Sequence, residues 1–124
     1  MNIEDFREFC LSFKGSTEDY PFDDNKKTLA FKVMDKIYAI ADADKFKSID
    51  LKCDPVKASM LRNLYQEVKP GRHMDKRQWN TINPGGALDD ELIKEWIKDS
   101  YSLVVEELSR KNQKKLEKMD KGKG

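Results

Sequence analysis

From Leu88 to Leu108 the apolar and small residues recur at spacings of three and four: Leu92, Ile93, Trp96, Ile97, Ser100, Tyr101, Val104, Val105 and Leu108. That spacing places them on one face of an α-helix. Asp89 stands at the cap position, Asp90 and Glu91 suit the positive end of the helix dipole, and Leu88 is placed to staple onto Ile93. A helix with a single apolar stripe must lay it on another apolar surface. The chain offers β structure for this. Thr28 to Met34 alternates, with Leu29, Phe31 and Val33 on one side and Thr28, Ala30 and Lys32 on the other. Asp35-Lys36 then separates this run from Ile37-Tyr38-Ala39-Ile40-Ala41, so the two pair as a hairpin in which Asp35 accepts a positive φ. A third strand runs from about Ser48 to Cys53, with Ile49, Leu51 and Cys53 on one face.

The remaining elements fit around this pair. Ile3, Phe6, Phe9, Cys10 and Phe13 form the apolar face of a helix over residues 3–14, with Asn2 as cap and Gly15 as stop. Ser16 to Asn25 contains Tyr20-Pro21-Phe22 and reads as an edge strand or extended loop, because Pro21 has no N–H to donate. Asp54-Pro55 starts a helix carrying Val56, Met60, Leu61, Leu64 and Tyr65. Val68 leads into the turn Pro70-Gly71, and residues 72–83 read as a short turn followed by a strand. Asn83-Pro84-Gly85-Gly86 breaks the chain before the long helix. The order helix–strands–helix–strands–helix, dominated by hairpins, predicts an α+β class with an antiparallel sheet covered by helices on one face. The domain is expected over residues 1–108. Residues 109–124 are expected as a basic Lys-rich tail, a frayed helix end or disordered.

Composition narrows the function classes. Charged and hydrophobic residues each make up 38% of the 124 residues, but the aromatics (6 Phe, 4 Tyr, 2 Trp) fall inside the periodic patches, which argues for a packed core. No stretch is apolar and long enough to span a membrane, and the N-terminal sequence MNIEDFREF has no secretory pattern. Cys10 and Cys53 read as small buried hydrophobes in a reducing, cytoplasmic setting. With two cysteines and one histidine, a zinc site is not expected, nor any cofactor. Residues 110–124 hold seven basic and two acidic side chains, a net of +5. The rest holds 17 basic and 21 acidic, a net of −4. The body is therefore mildly acidic, unlike a globally basic nucleic-acid binder.

The densest polar stretch is residues 69–81. Lys69, Arg72, Lys76 and Arg77 are cations, His73 stands among them, and Trp79, Asn80 and Thr81 follow. Cations to neutralise phosphates, an aromatic plane and hydrogen-bonding side chains are what a phosphate-backbone surface requires. The same residues also suit an aromatic in the core with its cations turned to solvent. Catalysis has little support. No nucleophile sits in a recognised setting, and Gly85-Gly86 lacks a following Lys-Ser/Thr.

Several segments together carry a resemblance: Tyr20-Pro21-Phe22, Phe31-Lys32-Val33, Lys36-Ile37-Tyr38-Ala39 and Leu51-Lys52-Cys53-Asp54-Pro55. Pro70-Gly71-Arg72-His73-Met74 with Lys76, Trp79 and Thr81 follows, and then Ser100-Tyr101-Ser102-Leu103-Val104. In this order they resemble the MmcQ/YjbR family of small bacterial proteins over about residues 1–108. Asp35 departs from the family, which often has Gly there. The resemblance implies a YjbR-like fold, of a kind compared with double-wing DNA-binding modules and with secretion chaperones. It also implies the family's label of predicted DNA-binding protein and no enzymatic activity. Function lies in sites rather than folds, so two readings stand. In one, Lys69, Arg72, His73, Lys76, Arg77, Trp79 and Asn80 form a non-enzymatic DNA-binding surface. In the other, the domain binds a protein or small ligand on its open sheet face or in a cleft near His73 and Trp79, a reading that a pocket lined by Tyr20, Phe22 and Trp79 would support.

Overall fold

The alternation over residues 28–41 is realised at the centre of a six-stranded sheet. The computed structural model describes residues 1–21, 26–72 and 74–119. The strands are β1 (Ser16–Asp19), β2 (Thr28–Val33), β3 (Lys36–Asp42), β4 (Ile49–Lys52), β5 (Val68–Pro70) and β6 (Trp79–Ile82). They lie in the order β1-β2-β3-β4-β6-β5 with every neighbouring pair antiparallel. Helices α1 (Ile3–Leu11), α2 (Pro55–Leu64), α3 (Asp90–Glu106) and α4 (Arg110–Glu117) complete the chain. The class is α+β, as the pattern of hairpins and helices predicts.

Register decides which side chains meet the helices. Leu29, Ala41, Ile49, Ile82 and Val68 stand side by side across five strands, and so do Phe31, Ala39, Leu51, Asn80 and Pro70. Both rows face the helices. Onto them α1 sets Phe6 and Cys10, α2 sets Leu61, and α3 sets Ile93, Trp96, Ile97 and Val104. Side chains one residue along point to the opposite face. There Ala30, Ile40, Asp50 and Thr81 form a continuous row ending at Lys69 on the edge strand. The first four of these are buried, so the sheet face expected to be open is covered at its middle.

The β2–β3 turn comes one residue earlier than the Asp35-Lys36 pair expected from the sequence. Met34 (φ 49°) and Asp35 (φ 65°) both adopt the left-handed conformation. A two-residue turn of this kind matches the twist of the strands but favours Asn-Gly or Asp-Gly. Asp35→Gly is therefore expected to raise unfolding stability by about 0.5–1 kcal/mol. A denaturation midpoint that stays put or falls would contradict this account of the turn.

A bulge follows. Lys32 pairs with Ile37 and Phe31 with Ala39, which leaves Tyr38 without a partner on β2. Its ring is fully buried, and its hydroxyl donates to the carbonyl of Cys10 (3.0 Å) and meets Ser16 Oγ (2.7 Å). Burial pushes the Tyr38 phenol and the Cys10 thiol well above their ordinary pKa values.

Asp89 stands at the N-cap of α3 as expected, and the helices add detail to the rest. Asn2 and Asp54 cap α1 and α2 with their side chains, but Asp89 makes no side-chain cap hydrogen bond at α3. Val56, Met60 and Leu64 do not join the core; they are 79%, 49% and 65% exposed, while Ala58 and Leu61 face inward. The long helix does not fray into the tail. It ends at Glu106, and Ser109 Oγ accepts the Asn112 N–H (3.1 Å) to start α4. Gln113 Nε2 donates to the carbonyls of Val105, Glu106 and Leu108, and Leu116 enters the core. Leu116 lies over Gly15 (φ 72°), where an added Cβ would come within 2.6 Å of its Cδ1. The ordered fold thus extends past residue 108, with residues 120–124 outside the described part. Cys53 lies just past β4 and is half-buried rather than enclosed on a strand face.

Candidate functional site

The candidate segment runs from β5 through a turn into β6, and one residue outside it holds it in place. Arg62, in the last turn of α2, sends Nε to Asn80 Oδ1 (2.6 Å) and Nη2 to the carbonyls of Lys76 and Trp79. Asn80 completes the clamp by donating from Nδ2 to the Ala58 carbonyl (3.3 Å). Gly71 closes the other side. Its N–H donates to the Trp79 carbonyl (2.8 Å), and a Cβ there would fall 2.8 Å from the Trp79 Cβ. The backbone approaches so closely that only glycine fits.

This clamp sorts the expected residues. Trp79 and Asn80 are 4% and 2% exposed, so neither offers a surface to a nucleic acid. The indole is packed and the amide is spent inside the fold, which corrects both as contact residues. Arg77 is exposed but already paired: Nη2 reaches Asp75 Oδ2 at 3.1 Å, and this hydrogen bond holds the Asp75 carboxyl below its usual range. Lys76 is exposed on the same turn and lines neither of the clefts described next. His73 lies outside the described residues.

Lys69 and Arg72 are brought together. They line a polar cleft of about 430 Å³ at the sheet edge, beside Lys47, Ser48, Thr81 and Asn83. A second cleft of about 270 Å³ adjoins it, sharing Ser48 and Arg72 and reaching Asp42, Asp50 and Lys27. Among the described residues, Lys47, Lys69 and Arg72 form no ion pair. The floor is a short relay: the Arg72 N–H donates to Thr81 Oγ1 (3.1 Å), and the Thr81 hydroxyl donates to the buried Asp50 carboxylate (2.6 Å). Glu67 also lines the larger cleft and accepts the Ala87 N–H (3.1 Å).

Lys47 and Ser48 were not singled out by the sequence. They are positioned by Asp42, whose carboxylate accepts N–H groups from Asp44 (3.0 Å), Lys45 (3.3 Å) and Lys47 (3.1 Å). Burial pushes the Asp42 carboxyl up, but these bonds and the nearby Lys47 charge outweigh it and leave the pKa below the ordinary value. The Asp42-Ala43-Asp44 sequence carries the turn signal for this loop. Nothing local says that the loop ends beside Arg72, because that pairing is made by the sheet.

The YjbR family model matches residues 11–103, three quarters of the chain. The chain belongs to the YjbR family. Its relatives include Escherichia coli YjbR, described as uncharacterised. YjbR is 28% identical over 117 residues, which cover 94% of this chain and 98% of that one. Escherichia coli YbdF, also described as uncharacterised, is 34% identical over 87 residues, covering 69% and 71%. Among solved structures, Deinococcus radiodurans protein DR2400, with a DUF419 domain, superposes with a TM-score of 0.86. It is 33% identical, over 94% of this chain and 88% of that one. A Pseudomonas syringae protein superposes with a TM-score of 0.71 at 27% identity, over 83% and 98%. The YjbR match contains all six strands, α2, the Arg62 clamp and the cationic cleft. It leaves α4 outside. Leu116 of α4 lies over Gly15, whereas the cleft lies by the 42–48 loop.

Proposed function

We propose that this YjbR protein is a non-enzymatic nucleic-acid-binding module that holds phosphate groups through Lys47, Lys69 and Arg72. The observation that carries this reading is their convergence, without ion pairs among the described residues, on one polar cleft lined by Ser48, Thr81 and Asn83. Cations supply backbone affinity and short polar side chains supply hydrogen bonds to phosphate oxygens. The non-enzymatic part is supported by the cysteines: burial raises both thiols, so neither is poised as a thiolate nucleophile.

The test is a titration of duplex DNA at several salt concentrations. Three phosphate contacts predict a log–log slope of about −2.7. Lys69→Glu with Arg72→Glu is expected to weaken binding at least about tenfold and flatten the slope, while Lys114→Glu with Lys115→Glu on α4 leaves it unchanged. No binding at low salt, or a slope that follows the α4 pair instead, defeats the reading.

A second reading is favoured by a separate feature. An apolar cleft of about 260 Å³ lies between α2 and α3, floored by Leu51, Leu61, Ile82 and Trp96. Its rim carries Lys57 paired with Asp99 (3.2 Å). This, rather than any group of Tyr20, Phe22 and Trp79, is where a small apolar ligand has room; Trp79 is buried and Phe22 lies outside the described residues. A ligand seated there would change the emission of Trp96, and one that binds without doing so is not in this cleft.

A further inference from the structure

The apolar cleft between α2 and α3 has a charged mouth, and the charges do not balance. Two cations line it, Lys52 and Lys57, and both are engaged. Lys52 Nζ donates to the two Glu107 carboxylate oxygens (2.5 and 2.7 Å), and Lys57 Nζ donates to Asp99 Oδ2 (3.2 Å). Asp54 and Glu106 line the same cleft, and among the described residues neither forms an ion pair. Asp54 Oδ2 accepts the Lys57 N–H (3.2 Å) as the cap of α2, and Glu106 is exposed. Two cations against four carboxylates give the mouth a net charge of −2. Glu106 is also the last residue of α3, whose final turn holds no basic side chain, so the negative end of the helix dipole adds to its field.

We infer that this cleft takes a small organic cation, a protonated amine carried on an apolar body. The inference rests on the reading of the cleft as a small-ligand site and is independent of the phosphate-binding reading. The body would lie on the floor made by Leu51, Leu61, Ile82 and Trp96, and the ammonium group would stay at the wet mouth in the field of Asp54 and Glu106. An anion of the same shape would meet four carboxylates, and the two lysines able to hold it would first have to leave Glu107 and Asp99. A neutral ligand would gain the floor alone. The volume sets the size: at about 30 Å³ per non-hydrogen atom, the cleft of about 260 Å³ holds roughly nine atoms. A six-carbon primary amine fits with its head left in water. Ligands this small bind with dissociation constants on the order of 1 mM. Because the mouth is exposed, the charge is expected to contribute a factor of about five, the attraction of one pair of unit charges across water at contact distance.

Hexylammonium, hexan-1-ol and hexanoate carry one chain with a positive, a neutral and a negative head. Each is titrated at low salt into the ¹⁵N-labelled protein, to about 10 mM, and followed by the Trp96 indole N–H resonance. That resonance is expected to shift and saturate with hexylammonium, about fivefold more tightly than with hexanol and more tightly still than with hexanoate. Glu106→Lys brings the mouth to neutrality at an exposed position. It should erase the preference for the amine, leave the hexanol constant unchanged and leave the circular dichroism spectrum intact. Hexanol or hexanoate binding at Trp96 as tightly as hexylammonium overturns the inference and leaves the cleft a small-ligand site. A preference for the amine that survives Glu106→Lys overturns it as well. A Trp96 resonance that none of the three compounds moves overturns the inference together with the small-ligand reading of the cleft.

Discussion

Replacing Ser100 with alanine is expected to destabilise the fold by about 2–4 kcal/mol. Ser100 is fully buried on α3, at the point where the ladder between β3 and β4 stops. The ladder ends at the Ala39–Leu51 pair, and just beyond it the Ser100 hydroxyl donates to the Tyr38 carbonyl at 2.5 Å. The same oxygen accepts the Lys52 N–H at 2.8 Å. One side chain therefore satisfies a backbone acceptor on β3 and a donor on β4 while fixing α3 above both. Alanine preserves helix propensity and removes only the hydroxyl, so the loss is that of two backbone groups left without partners, each worth about 1–3 kcal/mol when desolvated. Urea unfolding followed by Trp emission measures it. A loss under about 1 kcal/mol would mean that water replaces the hydroxyl and that Ser100 does not tie the helix to the sheet.

The second large effect is expected at Arg62. Arg62→Met keeps most of the apolar stem but removes the guanidinium that donates to Asn80, Lys76 and Trp79. The Lys76 carbonyl is at the surface and can turn to water. Asn80 is buried, and its Oδ1 would lose its charged donor, at a cost of about 2–3 kcal/mol. The turn would also lose its tie to α2, so amide exchange over residues 76–79 should quicken more than in the strands. Arg77→Met is the matched control. Its pair with Asp75 is exposed, and stability should change by less than about 0.5 kcal/mol. Equal effects at the two arginines would contradict the account of the clamp.

The difference between these arginines shows what the sequence could and could not reveal. Strands β2, β3 and β4 were legible because alternation of period two fixes which residues share a face, and Leu29, Phe31, Ile49 and Leu51 all meet the helices. Periodicity does not say which face of a helix is inward when both are apolar, so the outward ridge of α2 could not be told from a core face. Trp79 among cations was equally ambiguous. The register of β4 and β6 and the contact from Arg62, 17 residues away along the chain, bury that segment. Those are tertiary facts. The same holds for the cleft. Lys69 and Arg72 were visible as cations, but Lys47 joins them only because the 42–48 loop comes beside β6 in the folded sheet. The short α4 was missed for a local reason: Ser109 is a capping residue, but the Lys-rich run behind it has one buried apolar side chain, Leu116, too few for a periodic signal.

The central functional claim is that phosphate meets Lys47, Lys69 and Arg72 and that Trp79 is a structural residue. A titration of the ¹⁵N-labelled protein with a short duplex, followed by amide and indole resonances, addresses it directly. The account predicts that the amides of Lys47, Ser48, Lys69 and Arg72 shift together and saturate, while the Trp79 indole N–H stays in place. Shifts centred on the Trp79 indole and the Asn80 side-chain amide, with Lys47, Lys69 and Arg72 silent, would contradict it.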